Sequence, residues 1–79
     1  MDYEMTLSHL EIVRKHVAQG ERHVTNQRAV VRELEEDGHD TSQASALLAQ
    51  FEGLQSMHIA HMERLGSELI NFAAETRQS

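Results

Sequence analysis

The stretch Ser56–Arg64, SMHIAHMER, places two histidines three residues apart. Residues i and i+3 share a face of an α-helix, so His58 and His61 together present two ring nitrogens on one side. With His23 from another segment they make a three-imidazole set that suits zinc or a similar ion. A closed zinc site takes four ligands, and no fourth is evident. The chain has no cysteine, which excludes thiolate metal sites and disulfides. A di-iron bundle needs Glu-x-x-His on its helices, and the only such spacing, Glu36 to His39, spans a turn. The alternative chemistry is plain hydrogen bonding. Gln27 and His58 pair as a polar layer inside an apolar seam and fix its register, as one polar core residue does in a coiled coil. No cofactor is expected on that reading.

The elements that position these residues follow from periodicity. Leu10, Val13, Val17, Gly20, Val24, Gln27, Val31 and Leu34 recur in steps of three and four, an a/d stripe held over several heptads. Ala44, Leu47, Phe51, Leu54, His58, His61, Leu65 and Phe72 repeat the pattern downstream, widened on one side by Leu48, Met62 and Leu69. His9, His16 and His23 recur every seven residues beside the first stripe. That position suits a partly exposed bundle flank. The spacing predicts two helices, about 4–37 and 41–77, each roughly 50 Å long at 1.5 Å per residue.

Between them lies EEDGHDTSQ. Gly38 suits the left-handed position that ends a helix. Asp40 caps the next helix, with Thr41 or Ser42 as the alternatives, and Gln43 reaches back in a capping-box manner. The oxygen-ligand spacing of a calcium loop is absent. The chain therefore folds as an all-α antiparallel hairpin, a single domain over residues 1–79. Folding it at Gly38–Asp40 is expected to make facing residue numbers sum to about 82. Val24 then meets His58, Gly20 meets His61 and Met62, and Leu10 meets Phe72.

A lone hairpin of 79 residues has one seam and no enclosed core, and chains this short usually need a further staple. The second helix carries Leu48, Met57, Ile59, Ile70 and Ala73 beyond the stripe, and these need a second surface. Two hairpins pairing as a homodimeric four-helix bundle is the simplest solution. Its core and dimer contacts are expected from Leu48, Phe51, Ile59, Met62, Leu65 and Leu69.

Thirteen acidic against seven basic residues give a formal charge of −6. The basic residues of the first helix interleave with Glu4, Glu11, Glu21, Glu33 and Glu35, so no basic face exists for nucleic acid. No run approaches the ~20 apolar residues of a membrane span, and the N-terminus lacks a signal pattern. The expectation is a cytoplasmic protein whose partner is itself, with a further protein partner unidentified.

Residues 16–65 resemble a group of short, uncharacterised helical-hairpin proteins of soil- and plant-associated alphaproteobacteria. The matching positions are Gly20, Glu21, Val24, Gln27 and Arg28, then Leu34, Glu35 and Asp37 to Thr41. Leu47, Leu48, Phe51, Glu52, His58, Arg64 and Leu65 continue the pattern. Such proteins carry Asp and Arg where this chain has His61 and Met62. The resemblance implies Gln27 and His58 as the polar core pair and brings no assigned activity. No nucleophile–base pair, phosphate loop or paired carboxylates stand out, so the expected function is a non-enzymatic adaptor or regulatory module. The alternative is a metal- or small-ligand-binding bundle that uses the His/Gln layer.

Overall fold

The computed structural model describes residues 2–78, and side chains over 2–75. Two helices, α1 (Tyr3–Glu36) and α2 (Ser42–Gln78), run antiparallel in a rod of 64 × 16 × 14 Å. Both boundaries fall within a residue of those expected. Asp2 starts α1: its extended backbone leaves the side chain free to accept from Met5 N at 2.8 Å, an N-cap. Thr6, fully buried, donates its hydroxyl to the Asp2 carbonyl at 2.9 Å. The stripe thus begins one heptad earlier than Leu10, with Tyr3 and Thr6.

The turn is built from two local devices. Gly38 takes φ +73°, His39 N donates to Leu34 O and Gly38 N donates to Glu35 O. These are the paired bonds of a Schellman motif. Asp40 Oδ1 then accepts from Ser42 N at 2.9 Å and from Ser42 Oγ at 2.7 Å. The hydroxyl bond first, and the amide bond second, hold the Asp40 carboxyl below its ordinary value of 3.8. Thr41 O accepts the first helical bond, from Ser45 N, so Thr41 is the cap by position while Asp40 satisfies the amide of Ser42. Gln43 is exposed, and among the described residues its side chain makes no capping bond. Asp40 has already taken the role expected of it.

The compact core lies away from the turn. Leu10, Val13 and Leu65 are buried there, with Val17, Met62 and Leu69 packed around them. Tyr3 and Phe72 close that end edge to face, with centroids 6.1 Å apart. Fully burying one such apolar side chain contributes about 1.5–3 kcal/mol. Among the described residues only Val24 joins these three as a buried apolar residue. Leu48 and Phe51 are half-buried, and Ile59 is exposed.

The pairing differs from the expected register by one heptad. His16 faces His58, Gly20 faces Gln55, His23 faces Phe51 and Tyr3 faces Phe72, so facing numbers sum to about 75 rather than about 82. The turn causes the difference. The His39–Leu34 bond brings the chain round so tightly that Thr41 and Leu34 are the half-buried residues flanking it. A slip of seven residues leaves inward-facing positions facing inward, and the expected stripe of α1 is buried or half-buried throughout. In α2 Leu47 and Leu54, expected in the stripe, are exposed, and Leu48 and Gln55 are half-buried in their place.

Candidate functional site

Midway along the hairpin the two helices line a cleft of about 220 Å³. From α1 come His16, Gln19, Gly20 and His23; from α2 come Phe51, Leu54, Gln55 and His58. Heptad spacing explains the set. His16 and His23 occupy one flanking row, Gly20 lies in the seam, and Phe51 and His58 are seam positions of α2 one heptad apart, with Gln55 between them.

Gln55 organises the cleft. Its Nε2 donates to the Val17 carbonyl across the seam at 2.8 Å. Its Oε1 is buried without a hydrogen-bond partner and lies where a Cβ on Gly20 would stand, with Cδ 2.9 Å from that point. One Cα–H of Gly20 therefore points at Oε1, a weak C–H···O contact. Any side chain at position 20 displaces the amide. Nothing in the composition marks Gln55 for this role; the signal is a glycine in the seam of one helix and a long amide in the seam of the other.

Aromatic pairs bracket the amide. The His16 and His58 rings are tilted at 51° with centroids 5.3 Å apart. His23 and Phe51 are tilted at 39° with centroids 5.7 Å apart. The lining has no carboxylate, hydroxyl, lysine or arginine.

The expected Gln27–His58 hydrogen bond is not formed. Gln27 Nε2 donates instead to the Ala44 carbonyl at 2.9 Å, and His58 pairs with His16. The one-heptad change of register moves His58 away from Gln27 towards the open end. Both residues remain half-buried in the seam, each with a different partner. The same change disperses the three-imidazole set, since His23 lies on Phe51, His58 on His16, and His61 is absent from the cleft lining. Among the described residues no group of three or more potential ligands is close enough to hold a metal ion. The cleft is also smaller than the roughly 300–1,000 Å³ of most small-molecule pockets.

Away from the cleft, Arg28 Nη2 and Glu52 Oε2 form an ion pair at 3.1 Å. Both side chains are about half exposed, and pairs of this kind contribute roughly 0–1 kcal/mol. No helix among the described residues is long and apolar enough to cross a membrane. Comparison with family models, with curated proteins and with solved structures finds no match.

Proposed function

We propose that the protein is a non-enzymatic, homodimeric helical-bundle module that acts in the cytoplasm as a small adaptor or regulator through its surface. The observation that carries this reading is the imbalance of the single hairpin. Among the described residues four apolar side chains are buried, whereas ten large ones are exposed, Leu54 and Met57 among them. A chain of this length needs a further staple; with no cysteine for a disulfide, a second copy is the simplest remaining one. The cleft supports recognition rather than catalysis, because its imidazoles have no carboxylate to orient them and no nucleophile to activate.

Light scattering on the purified chain at micromolar concentration tests the proposal. The expected mass is twice the 9.0 kDa of one chain, with helicity lost together with the dimer on dilution. A stably helical monomer at that concentration would overturn it.

A further inference from the structure

The two long sides of the hairpin differ in charge. One side holds the cleft, with His16, Gln19, His23 and Leu54 along it. The opposite side holds Glu21, Arg28, Glu52 and Ile59 around a separate groove. Continuing the cleft side by heptads along α1 gives Ile12, Asn26 and Val30; along α2 it gives Leu47 and His61, with Met57 one turn from Leu54. From Ile12 to Val30, and from Leu47 to His61, these rows contain no Asp, Glu, Lys or Arg. The sole formal charge of α2 between Ser42 and Met62 is Glu52, which pairs with Arg28 on the other side.

Ile12, Val30, Leu47, Leu54 and Met57 are all exposed there. In a chain of net charge −6, a side whose central rows carry no formal charge lets two identical copies meet with Lys15 and Arg22, each one turn from Gln19, at its margin. The rows from Ile12 to Val30 span roughly 27 Å at 1.5 Å per residue, across a rod 16 Å wide. Two such faces, taken flat, present roughly 860 Å², a small interface beside the about 1,200–2,000 Å² of a standard one.

Charge also sets the direction. The turn concentrates Glu33, Glu35, Glu36, Asp37 and Asp40. Parallel copies would set two such clusters side by side, whereas antiparallel copies hold them at opposite ends of the bundle. Within the row Leu47, Leu54, His61, the central residue is Leu54.

We infer that a second copy of this chain docks on the His16–His23–Leu54 side, antiparallel, with the two-fold axis passing beside Leu54. The inference rests on the homodimer proposed above and names its face.

The test uses single cysteines in the otherwise cysteine-free chain, Leu54→Cys on the inferred axis and Ile59→Cys on the charged side. Light scattering of the reduced proteins comes first, followed by mild oxidation and non-reducing electrophoresis. Both positions are exposed in the hairpin, so the reduced forms are expected to stay helical dimers. The expected result is near-complete covalent dimer for Leu54→Cys, where two Cα atoms within about 7 Å permit a disulfide, and at least tenfold less for Ile59→Cys. A dimer that cross-links through Ile59, through both positions equally, or through neither, overturns the assigned face while leaving the homodimer standing. A helical monomer of wild type overturns the homodimer itself and the face with it. Circular dichroism guards the comparison. Should Leu54→Cys lose its helices, Met57→Cys replaces it, with the same outcomes read the same way.

Discussion

The side-chain amide of Gln55 occupies the space beside Gly20 that a β-carbon would take, while it donates to the Val17 carbonyl. Glycine within a helix costs roughly 0.5–1 kcal/mol relative to alanine, and here that cost is set against an interhelical hydrogen bond. Gly20→Ala should therefore change stability little, since helix propensity improves as the Gln55–Val17 bond, worth about 1 kcal/mol, is lost. In a Gln55→Ala background the same substitution should stabilise by the full 0.5–1 kcal/mol or so. Urea unfolding of the four proteins at one fixed concentration gives the coupling energy. A coupling near zero would show that Gln55 does not rest on Gly20. Gly66→Ala, with open space at its Cβ, serves as the uncoupled control and should stabilise in both backgrounds.

Gly38 also has open space around it, yet its φ of +73° disfavours any residue with a β-carbon. Gly38→Ala should destabilise by about 1–2 kcal/mol. Gly38→Asn should cost less, because asparagine tolerates the left-handed region. Equal stability of the wild type and the alanine variant in urea would mean that the helix does not end in a left-handed glycine.

Asp40 links the turn to pH. Bonds from Ser42 depress its carboxyl below 3.8, so the folded protein binds this proton more weakly than the unfolded chain does. Its contribution is complete above the unfolded value and fades as pH falls below about 4 through the lower, folded value. Asp40→Asn keeps an acceptor for Ser42 and lacks the titration. The difference between wild-type and Asp40→Asn urea midpoints should be constant from pH 7 to pH 5 and shift towards the variant below pH 4. Parallel curves throughout would sink the assignment.

Gln27 and His58 supply a test of register. They are bonded or stacked to different partners, Ala44 and His16, so Gln27→Leu and His58→Leu should add within about 0.5 kcal/mol. In the register whose facing numbers sum to about 82, the two would share a hydrogen bond and the double variant would recover roughly 1–3 kcal/mol of the combined loss. A recovery of that size would restore that register.

That comparison also marks how far the residues alone are legible. The two helices, the Gly38 turn and the inward face of α1 follow from apolar spacing and glycine chemistry, because each is a local property. In α2 the apolar spacing points to Leu47 and Leu54, which are exposed, and passes over Gln55, which lies in the seam. Asp2, the cap of α1, lies outside the periodic stripe, and its signal is the local one of an Asp before Tyr-Glu. The partners of Gln27, Gln55 and His58 were not legible, because a heptad pattern is identical to itself after seven residues. Choosing among such registers takes the length of chain spent in the turn, which depends on hydrogen bonds at Leu34, Glu35 and Asp40 rather than on hydrophobicity. The His16–His58 pair is hidden for the same reason, since periodicity gives each residue its row but not its level.

The tight turn has a kinetic consequence. A seam that repeats every seven residues offers the collapsing chain several near-equivalent alignments, each burying a similar stripe and differing by about 10 Å of sliding. Only the turn counts residues, so a chain that collapses before Gly38 and Asp40 are in place has nothing to tell it which alignment is right. Folding that starts at the turn and zips outward avoids those traps, and its early contacts are also the nearest in sequence, which makes it the faster route. Gly38 then belongs to the nucleus and Leu65 to the last part to close. Substitution at Gly38 slows folding, and trimming Leu65 chiefly hastens unfolding.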